Sequence, residues 1–357
     1  MPKPLRGRYN SSVVPPEIIL DRFVRTQLRD EPGFLGYVGK LDVERVEPPS
    51  FRLFLHLIQG TMNEALRLEN ANASGGVPHP TFHFDYLDVG VGIANAHAFQ
   101  FGDFSFIVVT LPMVEKLWHL SRRLSRSPRV PQLLHLDAGT LSPDALQALL
   151  FQIQLGFLVS HEYTHHVHRH CVEDQGGVVG MWTEFPQKAE CGSINSQAQE
   201  LDADGHSARL VLTHLLRGEW RPSALGQLGR ADAPSADGDQ LLVNCFLLAA
   251  TAFFCSLWRE GVEMASVCRL THPPPPIRID YAVRVVKVWC DKNESVPQLW
   301  FAPERLQAIF SLAAETVGVD ARRTWDAQVS SLRGADGLQY CRQLCERFEA
   351  RASSGTI

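Results

Sequence analysis

Residues 157–165, FLVSHEYTH, end in the pattern H-E-x-x-H. Residues four apart on an α-helix share one face, so His161 and His165 can both reach a single metal ion. Glu162 is turned away from His161 by about 100°, which leaves its carboxylate to act on a water molecule rather than to bind the metal. The pattern therefore predicts a helix that holds zinc between two imidazoles.

The residues before this motif predict a long helix. Ser142, Pro143 and Asp144 have the order of a helix start, with an N-cap serine, a proline at the first helical position and then an acid. Apolar residues recur from there to the motif, and we expect the helix to end at about Arg169. A zinc motif late in a long, capped helix is more specific than the five residues alone.

Glu200 is the candidate for the third zinc ligand, because catalytic zinc sites use three protein ligands and keep one position open. It lies near the start of a second predicted helix, Ala198–Arg217. Asp204 follows four residues later on the same helical face, so one carboxylate can bind the ion while the other orients a neighbouring group.

Other assignments stay open beside this one. Three glutamates compete with Glu200, although none lies in so clear a helical pattern: Glu173, Glu184 and Glu190. Asp202 is interpreted as a solvated charge. The nearby histidines are interpreted as surface residues or as residues beside the ligands: His166, His168 and His170.

The rest of the chain alternates helical patterns with one short β-rich region. A helix is expected at Phe51–Leu68 and strands at Thr81–Leu87 and Phe104–Val109, whereas Pro222–Asp239 has the composition of a polar loop. We therefore predict an α+β fold that is mainly helical, with a small β-sheet beside the H-E-x-x-H helix.

The composition is that of an ordinary globular protein, with 357 residues, 45% of them hydrophobic and 20% charged, and a net charge of −5. No basic field indicates a nucleic-acid partner. The eight cysteines form no C-x-x-C pair, and the first residues lack the apolar core of a signal peptide. A cytoplasmic protein is therefore expected.

One apolar segment, Leu241–Trp258, is at the lower limit of length for a membrane span. It has no flanking cluster of Lys and Arg on one side, and a helix enclosed by its own protein can be apolar on every face. We therefore expect a buried core helix, and membrane association is not favoured.

Four blocks make the chain resemble the M48 family of gluzincin peptidases, the group of HtpX-like and CAAX-prenyl proteases. In the family's order they are residues 95–99 with the strand at 104–109, the H-E-x-x-H motif, residues 200–204, and residues 271–274 with Arg278 and Ile279 close behind. The ordered set is much more specific than any one block. Membrane members of the family carry several spans, whereas this chain has at most one candidate, and this departure leads us to expect a soluble protease. A soluble peptidase of the Lit kind, also an H-E-x-x-H protein, is an alternative relative.

The resemblance implies a zinc centre with one ion per chain. His161, His165 and Glu200 would bind the ion, and Glu162 would be the general base that acts on a metal-activated water. The implied fold is a zincin-type metallopeptidase domain at 76–290. Outside the resemblance, we expect an N-terminal segment at 1–75 packed on this domain and a C-terminal helical extension at 291–357. The implied function is zinc-dependent endopeptidase, and the alternative is a non-catalytic zinc-binding regulatory protein that retains the peptidase fold.

The resemblance also implies how a protein or peptide substrate is held. Asn95 and His272 would face the substrate, with His272 helping to stabilise the oxyanion, and Arg278 would pair with Asp204. The strand at Phe104–Val109 would be an exposed edge that takes the substrate as an added strand, a mode driven by main-chain hydrogen bonds.

Overall fold

A computed structural model describes residues 14–28, 36–73, 81–90, 93–101, 104–136, 141–173, 181–183, 192–257, 264–293 and 302–353. The chain forms two compact units: a sheet unit, Met1–Val114 with His165–Gln187, and a helical unit, Glu115–Thr164 with Lys188–Ile357. Each unit combines two separate stretches of chain, and the division into three consecutive domains stays a prediction. Helices dominate the described residues and accompany one small mixed sheet, which confirms the predicted α+β class.

The sheet unit is built on five strands: β1 (Tyr37–Lys40), β2 (Thr81–Val89), β3 (Ala96–Phe101), β4 (Phe104–Thr110) and β5 (Met181–Thr183). Their order in the sheet is β1-β2-β4-β3-β5, in which β2 and β4 are parallel and the other neighbours antiparallel. Helix α1 (Pro16–Phe23) packs on this sheet through Phe23, whose ring lies 5.0 Å from that of Phe99. Helix α2 (Pro49–Ala73) packs against β2, where the Tyr86 hydroxyl donates to the Leu55 carbonyl.

The expectation that Phe104–Val109 forms an exposed edge is wrong. Strand β4 pairs with β2 along one side and with β3 along the other, and all seven of its residues are buried. A strand that is buried on both faces is typically a continuous run of apolar residues, and the sequence of β4 is rich in aromatic and β-branched residues. With both sides occupied, its main chain has no edge to offer a substrate.

The helical unit contains most of the helices. In chain order they are α3 (Leu111–Ser125), α4 (Arg129–Leu134), α5 (Pro143–Val167), α7 (Ile194–Leu216), α8 (Trp220–Gln227), α9 (Ser235–Ser256), α10 (Pro275–Lys292), α11 (Pro303–Val317), α12 (Val319–Arg333) and α13 (Ala335–Ser353). Helix α3 begins within the sheet unit and α5 ends within it, where the short α6 (His170–Glu173) follows. The predicted helices around the motif and around Glu200 are both present.

Helix α5 starts where the sequence predicts. The hydroxyl of Ser142 accepts from the amide of Ala145 at 3.3 Å, and the Ser142 carbonyl accepts from Leu146 at 3.0 Å, so Ser142 is the N-cap and Pro143 the first helical residue. Helix α7 is capped in the same way by Ser193, whose side chain accepts from the amide of Ser196. It therefore begins four residues earlier than the predicted start at Ala198.

Helix α9 contains the apolar segment as far as Ser256, and Trp258 lies outside the described residues. Among the described residues it is the one helix long and apolar enough to cross a membrane, and 94% of its most apolar window is buried inside the protein. That burial agrees with the core helix expected for Leu241–Trp258. The cytoplasmic location stays a prediction.

The polar loop expected at Pro222–Asp239 is largely wrong, because α8 occupies its first part and α9 begins at Ser235. The buried carboxylate of Asp239 accepts from Arg217 at 3.0 Å and from Arg221 at 3.0 and 3.1 Å. These contacts tie α8 and the end of α7 to the start of α9. Local composition does not reveal such long-range pairs. The prediction from composition therefore interpreted Gly, Ala and Asp as loop residues.

Candidate metal centre

Helix α5 places the two histidines of the motif one turn apart. His161, Glu162 and His165 are all buried, each with at most 1% exposure. The boundary between the two units passes through α5 after Thr164, so the spacing of the two histidines is set by one continuous helix. Their rings therefore share a face, as the four-residue spacing predicts.

Glu200 of α7 completes a group of three metal-binding side chains. Its Oε2 lies 3.2 Å from His161 Nε2, and both side chains are buried. One ligand atom from each of His161, His165 and Glu200 lies within 4.8 Å of the other two. Two imidazoles and a carboxylate gathered this closely inside a protein could hold a metal ion.

Asp204 lies behind His161, one turn after Glu200 on the same helix. Its Oδ1 is 3.1 Å from His161 Nδ1. The guanidinium of Arg278, on α10, donates to both oxygens of Asp204 at 2.7 Å and lies 4.8 Å from the centre of the Phe254 ring. Arg278 is almost fully buried, and this is the pairing with Asp204 that the resemblance implies.

Glu200 is surrounded by basic groups. Its Oε2 lies 2.9 Å from His272 Nε2 and 3.7 Å from Arg278 Nη2, in addition to its contact with His161. Burial alone would raise the pKa of Glu200, but attraction to His272 and His161 and hydrogen bonds from both lower this pKa to about 2. These basic partners therefore favour the carboxylate form of Glu200, which is the form that a metal ligand needs.

His272 contacts the carboxylate of Glu200, and it does not belong to the group of three residues that could hold a metal ion. Its Nδ1 lies 2.8 Å from the Thr271 hydroxyl, and the two prolines that follow lead directly into α10. Pro273 restricts His272 to extended conformations, so its imidazole is held by both chain and contacts. Its predicted contact with substrate stays a prediction.

Asn95 lies in the sheet unit, at the start of β3, and is buried. Its amide donates to the Thr110 hydroxyl and its Oδ1 accepts from the amide of Ala96, both at 2.9 Å. These bonds hold the first residue of β3 against the end of β4. The substrate-facing role implied for Asn95 stays a prediction.

The structure places some of the other candidate residues. Asp202 is only 3% exposed, so the prediction of a solvated charge is wrong. His166 and His170 are buried, and His170 lies beside the proposed ligand His165 with the two Nδ1 atoms 2.8 Å apart, which agrees with the second of the two interpretations, a residue beside a ligand. Glu184, Glu190 and the side chain of Glu173 lie outside the described residues.

Gln197 supports the centre and was missed in the sequence because glutamine belongs to no metal motif. From the first turn of α7, its Nε2 donates to the carbonyls of Val267 at 2.7 Å and Leu270 at 2.8 Å, and its Oε1 accepts from the Tyr340 hydroxyl. The segment just before His272 is thereby fixed to the helix that carries Glu200.

No protein-family model, curated protein or solved structure matches the chain significantly. The resemblance to gluzincin peptidases therefore depends on the four sequence blocks, and the chemistry must be judged from the residues themselves.

Proposed function

We propose that this chain is a zinc-dependent endopeptidase that hydrolyses peptide bonds of a protein or peptide substrate. The observation that carries the proposal is the buried group of His161, His165 and Glu200, with Glu162 next to the first ligand on the same helix. Three protein ligands with one position left open are typical of catalytic zinc sites, whereas structural sites use four.

The donor set fits zinc in chemistry and in charge. His161 and His165 each have Nδ1 occupied, by Asp204 and by His170, so we assign Nε2 of both rings to the ion. The carboxylates of Glu162, Glu200 and Asp204 are buried at this centre with the guanidinium of Arg278, so the described residues carry an excess of negative charge while the neighbouring imidazoles are neutral. A divalent cation would balance this excess of negative charge, which is costly to bury alone.

When bound, zinc supplies Lewis acidity, which promotes deprotonation of water and polarises the scissile carbonyl. Glu162 accepts the proton from the attacking water and then returns it to the leaving amine. His272 donates a hydrogen bond to the developing oxyanion when its Nε2 leaves Glu200, and removal of such a donor typically costs about 3 kcal/mol. Asp204 and Arg278 hold His161 in the orientation that this sequence of proton transfers needs.

The first test compares wild-type protein with Glu162→Gln. We expect about one zinc per chain in both by elemental analysis, because Glu162 is not a ligand, and loss of at least a thousandfold in turnover, because the base is gone. The activity readout is the appearance of new N-termini in a proteome-derived peptide library. Glu304→Gln, an exposed glutamate at the start of α11, is the matched control and should cleave as wild type does.

Two outcomes would contradict the proposal. Wild-type protein that binds zinc but produces no new N-termini would favour the non-catalytic regulatory alternative. Cleavage by Glu162→Gln at the wild-type rate would remove Glu162 from the reaction.

A further inference from the structure

The chain turns sharply after the metal helix, and this turn brings His170 back to His165. Helix α5 ends at Val167, Arg169 adopts the left-handed conformation with φ 59°, and α6 starts at His170. In a continuous helix, residues five apart would point in directions about 140° apart and could not touch. The observed separation of the two Nδ1 atoms, 2.8 Å, therefore depends on the turn at Arg169.

The contact between the two rings fixes their tautomers. Both histidines are fully buried, with ring centres 5.0 Å apart and planes at 64°. Between two neutral imidazoles, one Nδ1 must donate the hydrogen and the other accept it. If His165 binds metal through Nε2, it keeps its proton on Nδ1 and donates it to His170.

The backbone around His170 is held in place, because residues before and after it contact strands of the sheet. His166 Nε2 lies 2.9 Å from the Phe106 carbonyl on β4, and its ring makes an edge contact with Phe82. Cys171 Sγ lies 3.8 Å from the Ala98 carbonyl on β3. His170 and the end of α5 are therefore both attached to the same sheet.

We infer that His170 is a positioning residue that holds His165 in its metal-binding tautomer and orientation. The inference rests on the proposed role of His165 as a zinc ligand. The two histidine ligands are then supported differently: a carboxylate, Asp204, stands behind His161, and a neutral imidazole stands behind His165. Ligand histidines more often donate to a carboxylate, a carbonyl or water, and loss of that partner typically lowers metal affinity about 10–100-fold.

Three substitutions at His170 separate positioning from simple packing. The side-chain oxygen of asparagine can occupy the place of Nδ1 and accept the His165 proton, whereas glutamine places its oxygen nearer to Nε2. We expect His170→Asn to bind zinc nearly as well as wild type, and His170→Gln and His170→Ala to bind it about 10–100-fold more weakly. His119→Ala, an exposed histidine on α3, is the control for loss of an unrelated imidazole.

Zinc affinity is measured by competition with a chromophoric chelator, and ligand geometry by the visible absorption of the cobalt-substituted proteins. Weaker binding in His170→Gln than in His170→Asn, with an altered cobalt spectrum, supports the inference. Equal affinities and identical spectra in all variants would overturn it. Should His170→Ala fail to fold, the imidazole ¹⁵N signals of the zinc-loaded wild type decide: a proton on Nδ1 of His165 is expected, and a proton on its Nε2 overturns the inference.

Failure of this inference is distinguishable from failure of the proposed function. If wild type binds no zinc, the proposed metal centre is wrong. If wild type binds zinc and Glu162→Gln abolishes cleavage, while every His170 variant behaves as wild type, only the role of His170 is wrong.

Discussion

Asp204 divides its two oxygens between His161, the proposed metal ligand, and a buried guanidinium. Oδ1 contacts both His161 Nδ1 and Arg278 Nη2, whereas Oδ2 accepts from Arg278 Nε. In the proposed centre, a carboxylate that lies 3.1 Å from Nδ1 of His161 would favour the tautomer in which Nε2 is available to the ion. The bidentate bond to Arg278 in turn fixes the plane of the carboxylate, which a single bond would leave free to rotate.

His97 of β3 gives a prediction about pH. It is fully buried, its Nε2 lies 2.6 Å from the Tyr37 hydroxyl, and burial lowers its pKa from 6.5 to about 3. The unfolded chain therefore binds a proton at His97 between these values while the folded chain does not, so the contribution of this group is fully present above pH 6.5 and is lost as the pH falls toward 3. We expect a loss of about 1.4 kcal/mol per pH unit from this group.

His97→Gln should remove that component, because an amide can accept from Tyr37 and does not titrate. Urea denaturation of the zinc-free proteins at several pH values from about 6.5 down to 4 should show a shallower fall in unfolding free energy than in wild type. His119→Gln, on the surface of α3, should keep the wild-type slope. Equal slopes for His97→Gln and wild type would contradict the prediction.

Among the elements, the residues just before α7 and the segment before α10 are in direct backbone contact. The Gly192 amide donates to the Arg269 carbonyl at 2.9 Å, and a Cβ at Gly192 would lie 2.0 Å from the Leu270 carbonyl oxygen. Together with Gln197, this contact holds the 264–272 segment against the start of α7. The placement of His272 beside Glu200 thus depends on a position that tolerates no side chain.

Gly192→Ala should therefore destabilise the protein by about 1–3 kcal/mol, since backbone atoms must shift to admit the methyl group. The measurement is the urea midpoint, with Gly226→Ala as the matched control. A methyl group at Gly226, inside α8, would meet nothing within 4 Å, so that substitution should leave stability unchanged or raise it slightly. A Gly192→Ala midpoint equal to that of wild type would show that the segment moves freely.

The elements also show which features sequence reasoning can reach. The cap at Ser142, the length of α5 and the shared face of Glu200 and Asp204 follow from residues close together in the chain, and local rules suffice for them. The interior position of β4 depends on two partner strands, and the burial of Asp202 depends on packing around α7. Neither leaves a periodic signal in the sequence, and the same is true of the turn at Arg169 that returns His170 to His165.

At the scale of the whole molecule, a bound ion that has no site in the unfolded chain must stabilise the fold. At a zinc concentration a hundred times the dissociation constant, the expected gain is about 2.7 kcal/mol. Thermal unfolding of wild type should therefore occur at a lower temperature after chelation and recover when zinc is added. Glu162→Gln should show the same shift, and Glu200→Ala, which lacks a ligand, should show little or none; a shift of wild-type size in Glu200→Ala would remove Glu200 from the centre.

Arg278 and Asp204 are both buried and paired, so the effect of a substitution at one depends on the residue at the other. Loss of Asp204 alone would leave the buried Arg278 without its bidentate partner and with the more distant Glu200 carboxylate, 3.7 Å away, and loss of Arg278 alone would leave Asp204 a buried anion beside His161. Either single change costs more than the simultaneous replacement of both, so their effects are not additive. A chain that diverges from this one is therefore expected to keep both residues or to exchange them as a pair.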